Sequence, residues 1–439
     1  MGNFLANEQQ VELQNNAQAQ CDFELLCNGS STQIERRPAF ERLRSLYAPV
    51  TTSHKSYCNE VTKVFETKFT LWEDVRKFKT SVELANAIRG CIYGGALGDS
   101  VGLATEFLTK NVAIDFYGLE YDFHPGCRVY ADAHRMGFPN GDWTDDTDQL
   151  LLILMSLLET GGQANAKHFA SKLVEWKDHG FQGLGDCSGG GLGQSTKRVL
   201  CHSSFLLEPE RAAQEVWEAG GKKVAPNGAV MRTAVTGIPY FWDTAIVQQN
   251  TLMMCRVTHA DPRCVASCLI VSGLIAKALQ FLADDTHNSI FCVSIEDWIS
   301  EIVVKAESVL DTDAQKSELH YYTTSSYIQN CRLCDLQLDE PHSIGYTYKC
   351  LACALVALRE LYRCTNSGNL TSTEVFQQIV SDVTMQCGDA DTNAAVSGSL
   401  LGCFIGYDCL PKQWISSMPY VVWLEAWVQK LLYMMKCID

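Results

Sequence analysis

The sequence predicts an all-α protein, with a compact domain of many helices that follows an N-terminal extension. From about residue 81 onward, apolar residues recur three and four positions apart, which is the spacing of amphipathic helices. Strand-like alternation of apolar and polar residues is scarce, and no internal repeat is visible. The chain has 439 residues, of which 46% are hydrophobic, and this is enough for a large core. One domain of packed helices is the simplest architecture that fits these observations.

Residues 1–80 are predicted to form a polar extension, because they contain Gln/Asn-rich and Ser/Thr-rich stretches. This composition is typical of a segment that wraps around the main body or stays partly disordered. The first residues lack the basic start and the apolar core of a signal peptide. Gly2 suggests myristoylation, but Ala6 stands where that pattern has Ser or Thr.

The domain at 81–439 shows a succession of helical segments, each with apolar residues on one face. They cover residues 81–98, 147–159, 165–178, 210–219, 265–283, 295–309, 345–363, 372–383, 391–405 and 420–435. The stretch 313–343, DAQKSELHYYTTSSYIQNCRLCDLQLDEPHS, is predicted to be a surface loop or insertion.

Charge and cysteine content exclude several classes of protein. The formal net charge is −16 and no basic run occurs, so direct nucleic-acid binding is not expected. No apolar run reaches about 18 residues without a charge, so we predict no membrane span. The 20 cysteines are scattered, and Cys264 and Cys268 stand in apolar helical sequence as small hydrophobes. This usage favours a reducing, cytoplasmic location. The sequence carries no signal for the oligomeric state.

The stretch GDWTDDTDQLLLILMSLLE begins with acidic residues and continues into the second apolar helix. A single carboxylate or threonine is enough to cap a helix and to complement its dipole, and here three aspartates and two threonines stand together. Asp148 alone is interpreted as a cap or as part of a solvated first turn. Asp145 and Asp146 are adjacent like charges, which favours metal ligation.

A second acidic stretch, MQCGDADTNAAVSGSLLGCFIGY, has the same form. Asp389 and Asp391 flank Ala390, Thr392 follows, and a helix rich in Gly and Ala begins there, which indicates close helix packing. Such hard oxygen ligands suit Mg²⁺ or Mn²⁺ better than zinc. Four or five carboxylates in one cleft would need two divalent cations, so the hypothesis is a two-metal site.

A third stretch, GGALGDSVGLATEF, supplies Glu106 at the end of a helix rich in small residues. For Asp99 two roles stay open, a cap or turn hydrogen bond and a supporting role behind the ligands. The CRLC pair, Cys331 and Cys334, lacks the second pair that a structural zinc site requires. A phosphatase interpretation of GDADTN is rejected, because Thr392 comes one position too early for that motif.

Six motifs occur in order: GALGDSVGLATEF, DWTDDTDQLLLI, NGAVMRTAVTGI, THADPR, IGYTYKCLACALVALR and GDADTNAAVSGSLLGCFIGY. Together, over residues 83–410, the chain resembles the ADP-ribosylglycohydrolase family. The resemblance implies a compact all-α fold, a binuclear Mg²⁺ or Mn²⁺ centre, and hydrolysis of the glycosidic bond between ADP-ribose and a target. The expected substrate is an ADP-ribosylated protein, modified on arginine or serine, or a small ADP-ribosyl compound. The alternative is an inactive member of the family that binds ADP-ribose or has a crystallin-like structural role.

The resemblance also implies roles for particular residues. The metal ligands map to Glu106, Thr144, Asp145, Asp146, Asp389, Asp391 and Thr392. Each position has the expected residue type, which argues against the inactive alternative. The catalytic residues map to Glu106, Asp145, Asp146 and Asp389, with Glu106 as the carboxylate that shifts between metal and substrate.

The resemblance places the substrate diphosphate near three further segments. Backbone N–H groups of a glycine-rich loop can bind phosphate without net charge, and Gly191 and Gly193 are the expected positions. A surface loop is the alternative there. Asn227 and Gly228 are expected near the diphosphate or the distal ribose, although Asn-Gly is also a common turn. His259 is expected to contact phosphate, or else to have a capping or core role. For Tyr346 and Tyr348 the options are stacking on adenine and a place in the core.

Overall fold

The computed structural model describes residues 63–64, 81–284, 289–368 and 370–437. Over these residues the protein is all-α, as the sequence predicts. Their β-structure is limited to an isolated bridge between Pro226 and Tyr346. The predicted extension at 1–80 lies outside the described residues, apart from Lys63 and Val64.

The helices of the described region agree with every helical segment predicted from the sequence. They are α1 (Val82–Gly102), α2 (Lys110–Tyr117), α3 (Asp145–Glu159), α4 (Ala166–His179), α5 (Gln194–Leu200), α6 (Pro209–Ala219), α7 (Thr244–Arg256), α8 (Pro262–Ala283), α9 (Ile295–Ala306), α10 (Asp313–Thr323), α11 (Ser326–Gln329), α12 (Thr347–Ser367), α13 (Ser372–Thr384), α14 (Ala390–Ile405), α15 (Lys412–Ser417) and α16 (Val421–Met434). Short 3₁₀ helices cover Arg135–Gly137, Gln182–Leu184, Thr233–Gly237, Ile290–Cys292, Glu307–Val309, Leu333–Leu336 and Tyr407–Cys409.

Helices α1 and α14 pack antiparallel at the centre of the protein with their backbones in contact. Small residues repeat every fourth position along the facing stripes of both helices, and the facing pairs are Gly90 with Gly402, Gly94 with Gly398, Gly98 with Ala394 and Gly102 with Ala390. A Cβ atom added at any glycine of α1 in these pairs would lie under 3.0 Å from a backbone oxygen of α14. This packing, which the Gly and Ala content of α14 predicts, places the end of α1 beside the start of α14.

The other helices surround this pair. Helices α12 and α13 pack on α14, α3 contacts both α1 and α14, and α7 and α9 pack on α8. Helix α8 is long and apolar enough to cross a membrane by length and composition, but 72% of its apolar window is buried inside the protein. Cys264 and Cys268 on this helix are fully buried, in agreement with their predicted role as small hydrophobes. We therefore describe α8 as a core helix.

Of the two alternatives for 313–343, the surface loop is wrong for much of that segment, and the insertion stays a prediction. Helices α10 and α11 lie within it, and Leu319, Ile328 and Leu338 are buried in the core. The segment also ends close to the acidic stretch, because a Cβ at Gly388 would lie under 3.0 Å from the carbonyl of Leu338. The apolar residues of this segment are few and widely spaced, so the sequence gives only a weak helical pattern.

Candidate metal centre

Three segments meet at the candidate metal centre: the end of α1 with the turn that follows it, the start of α3, and the start of α14. Carboxylate oxygens of Glu106, Asp389 and Asp391 all lie within 4.8 Å of one another. A second group with the same maximum separation of 4.8 Å consists of Asp99, Asp146 and Asp391. Because Asp391 belongs to both groups, the two sets of carboxylates are adjacent.

Asp99 supports the start of α3 from behind. Its Oδ1 accepts hydrogen bonds from the backbone N–H and the hydroxyl of Thr144, at 3.0 and 2.9 Å. Its Oδ2 accepts from the same two groups of Thr147, at 2.9 and 2.6 Å. Burial raises the pKa of Asp99 to about 6, and these four hydrogen bonds oppose the shift. These hydrogen bonds confirm the capping role that was left open for Asp99, and its supporting role behind the ligands stays a prediction.

Two threonine hydroxyls lie among the aspartates. They belong to residues that the family resemblance implies as metal ligands. Oγ1 of Thr144 is 3.2 Å from Oδ2 of Asp146 and 3.4 Å from Oδ2 of Asp391. Oγ1 of Thr392 is 3.2 Å from the same oxygen of Asp146. The other oxygen of Asp146, Oδ1, is buried and has no hydrogen-bond partner among the described residues. A buried carboxylate oxygen without a partner is costly, and a bound cation would satisfy it.

The centre concentrates negative charge in a buried place. Burial raises the pKa of Asp145, Asp146 and Asp391 well above the usual range, and nearby carboxylates, Asp99 among them in each case, raise it further. Divalent cations bound by these oxygens would offset the repulsion. A donor set of carboxylates and hydroxyls fits hard cations of the Mg²⁺, Mn²⁺ or Ca²⁺ type.

Two glycines approach the aspartates so closely that a side chain at either position would intrude. A Cβ at Gly191 would lie 2.5 Å from Oδ1 of Asp145, and a Cβ at Gly345 would lie 3.0 Å from Oδ2 of Asp389. Both glycines have positive φ, at 75° and 73°. The glycine-rich loop that the sequence predicts therefore covers the centre at Gly191, whereas Gly193 is the N-cap of α5 with open space around it. Gly345 was not predicted, because it is an isolated glycine outside a glycine-rich stretch.

The three remaining predicted substrate residues lie side by side. Nδ2 of Asn227 donates a hydrogen bond to Oδ2 of Asp389 at 3.0 Å, so this asparagine borders the centre directly. A Cβ at Gly228 would lie 3.2 Å from Nε2 of His259. His259 is only 4% exposed, and burial together with the nearby Arg232 charge lowers its pKa to about 3. Its imidazole is therefore neutral at physiological pH.

The two tyrosines of the GYTY sequence have different environments. Tyr348 is fully buried, which makes it a core residue. Tyr346 is partly exposed, its hydroxyl donates a hydrogen bond to Oε1 of Glu318 at 2.6 Å, and the guanidinium of Arg263 lies 5.7 Å from its ring centroid. Tyr346 thus joins α10 to the edge of the segment that contains Asn227.

Two residues that the sequence did not single out hold Glu106. Nε2 of His134 lies 2.5 Å from Oε2 of Glu106, and this contact raises the pKa of His134. The guanidinium of Arg135 donates to the carbonyl oxygens of Ala104 and Glu106 and pairs with Asp132. The contacts with Ala104 and Glu106 join positions 28 to 31 residues apart, so no local motif indicates them.

The interpretation of Asp148 as a cap is wrong, but the residue does lie in the first turn of α3 and is partly exposed. Thr144 is the N-cap of α3, and its side chain accepts a hydrogen bond from the N–H of Asp146. Asp148 instead accepts hydrogen bonds from the indole N–H groups of Trp143 and Trp176, at 2.8 and 3.0 Å. Burial, followed by the nearby charge of Asp186, raises the pKa of Asp148 to about 8.

The arrangement combines two kinds of recognition. Clustered oxygen ligands on one side can hold cations, and a glycine-rich loop with a neutral imidazole on the other side can receive an anion without adding positive charge. Such a site suits a ligand that carries both hydroxyl and phosphate groups.

Comparison with known proteins gives consistent results. A family model described as ADP-ribosylglycohydrolase matches residues 80–437. ADP-ribosylarginine hydrolase Tri1 of Serratia proteamaculans is 25% identical over 354 residues, which cover 80% of this chain and 80% of that protein. ADP-ribosylhydrolase ARH3 of Mus musculus is 25% identical over 347 residues, which cover 75% of this chain and 86% of that protein. A solved structure of an ADP-ribosylglycohydrolase-related protein complex aligns with a TM-score of 0.54 and 21% identity, over 80% of this chain and 99% of that chain.

Proposed function

Because the chain belongs to the ADP-ribosylglycohydrolase family and is a hydrolase of glycosyl bonds, we propose that it releases ADP-ribose from a modified target at a binuclear Mg²⁺ or Mn²⁺ centre. The observation that carries this proposal is the position of Asp391, whose carboxylate lies within 4.8 Å of oxygens of Glu106 and Asp389 in one group and of Asp146 in the other. A carboxylate shared in this way suits two cations bound side by side. The proposed ligands are Glu106, Thr144, Asp145, Asp146, Asp389, Asp391 and Thr392.

The proposed reaction builds positive charge on the distal ribose as the bond at its anomeric carbon breaks. When bound, the cations would supply a Lewis acid for ribose oxygens or for the attacking water. Glu106 is the carboxylate proposed to move a proton or to stabilise that positive charge, because it lies in one group with Asp389 and Asp391 and contacts the imidazole of His134. His134 and Arg135 keep its carboxylate and its backbone in place.

The diphosphate of the substrate is proposed to lie between the glycine-rich loop and the Asn-Gly turn. Gly191 and Gly193 would present backbone N–H groups, and a glycine at position 228 keeps a side chain away from the buried imidazole of His259. Asn227 would connect this part of the cleft to the metal centre, since it already contacts Asp389. An acidic protein can bind an anionic ligand in this way because the donors are neutral.

The target is proposed to be an ADP-ribosylated protein, and arginine is the first linkage to examine. One relative is named as an ADP-ribosylarginine hydrolase and another as an ADP-ribosylhydrolase. Serine-linked ADP-ribose and small ADP-ribosyl compounds share the same ADP-ribose portion, so the same centre can accommodate them.

The test is an ADP-ribose release assay on the purified protein. Peptides ADP-ribosylated on arginine or on serine, and a small ADP-ribosyl ester, are incubated with Mg²⁺, Mn²⁺ or EDTA, and free ADP-ribose is measured. We expect metal-dependent release that falls at least about 100-fold in the Asp389→Ala/Asp391→Ala double variant, since even residues behind metal ligands cost 10–100-fold. The matched control is Asp408→Ala, which removes an exposed aspartate near the far end of α14.

The outcomes separate the candidate roles. Release from one linkage identifies the substrate class. Binding of ADP-ribose without release from any of the three substrates would contradict the proposed hydrolysis of these targets and would indicate a binding role. Release that persists in EDTA or in the double variant would contradict the metal centre.

A further inference from the structure

A chain of hydrogen bonds runs from the metal centre to the buried imidazole. Oδ2 of Asp145 accepts a hydrogen bond from Nε2 of Gln149 at 2.6 Å. Oε1 of Gln149 accepts one from Nη1 of Arg232 at 2.6 Å. Nη2 of the same guanidinium donates to Oγ1 of Thr258 at 2.6 Å, and that hydroxyl lies 2.7 Å from Nδ1 of His259. Arg232 therefore stands in the middle of a continuous path between the two halves of the site.

The direction of each hydrogen bond follows from the guanidinium. Arginine has only donors, so Gln149 must present its oxygen to Arg232 and its amide nitrogen to Asp145. Thr258 must likewise accept from Arg232. Among the described residues its hydroxyl proton has no other acceptor than Nδ1 of His259, so the hydroxyl donates to that nitrogen. A neutral imidazole that accepts at Nδ1 carries its proton on Nε2. The arrangement thus selects one tautomer of His259.

The proton on Nε2 lies beside Gly228, a position without a side chain. Nε2 of His259 is buried and has no hydrogen-bond partner among the described residues. The position that a side chain at Gly228 would occupy lies 3.2 Å from this nitrogen and 3.5 Å from Oγ1 of Thr196. A donor nitrogen and a hydroxyl at the same small space can together bind one acceptor oxygen, such as an oxygen of a phosphate.

We propose that Arg232 is a positioning residue that fixes the Nε2–H tautomer of His259 and at the same time orients Gln149 on Asp145. It thereby couples the affinity for a phosphate group to the affinity for the cations. The coupling rests on the proposed function in one respect, since it assumes that phosphate and cations occupy these two positions. By linkage, each ligand then raises the affinity for the other by the same factor.

A purely structural role explains a buried arginine at this position less well than the positioning role does. Arg232 is fully buried, and burial lowers its pKa to about 10. Its guanidinium donates hydrogen bonds to neutral groups of Gln149, Thr258 and Met254. A buried charge held by neutral partners is less stable than a well-packed apolar side chain of similar size. The direction of its donors, which orients both Gln149 and Thr258, explains why an arginine stands at this position.

The first measurement is the tautomer of His259 by ¹⁵N NMR of histidine-labelled protein, with His259→Gln to assign the signal. We expect the Nε2–H form in the full chain. Thr258→Val, which removes the bridging hydroxyl but keeps the shape of the side chain, should abolish the preference for this tautomer. An Nδ1–H or imidazolium form in the unmodified protein at neutral pH would overturn the proposal.

The second measurement is binding by calorimetry, with Mg²⁺ and ADP-ribose as probes, for the unmodified protein, Arg232→Met and Arg232→Lys. We expect Arg232→Met to weaken the binding of both ligands by about 10-fold or more and to reduce their mutual enhancement to what direct contact between cation and ribose supplies. Arg232→Lys should restore only part of the loss. Thr258→Val should weaken the binding of ADP-ribose and leave the affinity for Mg²⁺ unchanged. The matched control is Arg359→Met, which removes another buried arginine that pairs with Glu296 away from the site.

The results remain informative if a variant is unstable or if turnover is absent. Should Arg232→Met fail to fold, Thr258→Val still tests the tautomer and the phosphate side. Unchanged affinity for both probes in a folded Arg232→Met protein would overturn the coupling. A shifted tautomer and weaker ADP-ribose binding in the variants, in a protein that releases no ADP-ribose, would support the coupling and count against the hydrolase proposal alone.

Discussion

At the scale of single residues, the site divides into side chains that a local pattern can reveal and side chains that only the fold brings together. Asp145, Asp146, Asp389 and Asp391 could be predicted because capping a helix needs one carboxylate, and an excess of like charge requires compensation. Arg232 contacts Gln149 across 83 positions of the chain, so no local spacing indicates that pair. The same is true of Gly345, whose role depends on one close approach to Asp389.

Gly345→Ala is expected to reduce metal affinity by about 10-fold or more. The new Cβ would lie 3.0 Å from Oδ2 of Asp389, so this carboxylate must move away from the centre. Calorimetric titration with Mg²⁺ or Mn²⁺ measures the effect. The matched control is Gly368→Ala, because Gly368 also has a positive φ, 66°, but nothing lies within 4 Å of its Cβ position. Equal loss of metal affinity in the two variants would assign the effect to backbone strain instead.

Asp148→Asn is expected to change how stability depends on pH. The raised pKa of about 8 means that the folded protein keeps Asp148 protonated at neutral pH, while the unfolded chain ionises it near pH 4. The folded state then binds more protons, and its stability falls as pH rises through this window. The asparagine has no proton to lose, so the variant should gain stability relative to the unmodified protein by up to about 1.4 kcal/mol per pH unit between pH 4 and 8.

Urea denaturation in EDTA at several pH values measures this difference in the free energy of unfolding. Asparagine offers one acceptor oxygen fewer to Trp143 and Trp176, which changes the free energy of unfolding of the variant by an amount that does not depend on pH. Only the slope of the free-energy difference against pH therefore tests the protonation of Asp148. A difference between the two proteins that does not change with pH would show that Asp148 is ionised in the folded state.

At the scale of helices, the sequence predicts best those that bury a broad apolar face. Helices α8, α12 and α14 bury most of their residues, and the sequence indicates all three. Helix α2 buries only Ala113 and Tyr117, and α10 only Leu319 and Thr323, so their periodicity is faint. Packing against the larger helices stabilises such short elements, and a single sequence does not contain that information in local form.

Gly98→Ala is expected to destabilise the protein by about 1–3 kcal/mol or more, because the added methyl group meets the backbone of α14 and not a flexible side chain. The displacement would also separate Asp99 and Glu106 from Asp391, so metal affinity should fall along with stability. Chemical denaturation and metal titration measure the two effects. Gly137→Ala is the control for stability, since nothing lies within 4 Å of that Cβ position. A neutral effect of Gly98→Ala would show that α1 and α14 can move apart freely.

At the scale of the whole molecule, the packed interior stabilises the fold, whereas the buried carboxylates of the acidic centre destabilise it. The antiparallel packing of α1 and α14 forces carboxylates from three segments into one buried place, where burial raises the pKa of each aspartate. Many contacts elsewhere hold the helices in this arrangement. The all-α class could be predicted from sequence periodicity, but the energetic cost at the centre follows only from the way these helices meet.

Metal binding is therefore expected to stabilise the whole protein, and more strongly as pH rises. Without metal, the folded state binds more protons at these aspartates than the unfolded chain does, so the free energy of unfolding falls as pH increases. Cations replace those protons and remove this dependence. At a free metal concentration of 100 Kd, the gain is about 2.7 kcal/mol. Thermal unfolding at pH 6, 7 and 8, with Mg²⁺ or with EDTA, measures the difference.

The Asp389→Ala/Asp391→Ala double variant should lose the response to metal and show a flatter dependence on pH in EDTA, because two of the repelling carboxylates are gone. Asp408→Ala should behave like the unmodified protein, since its carboxylate is exposed. If Mg²⁺ and Mn²⁺ raise the melting temperature of the double variant as much as that of the unmodified protein, the cations bind elsewhere. The orphaned oxygen of Asp146 would then need a different explanation, and the two adjacent carboxylate groups would no longer support a binuclear centre.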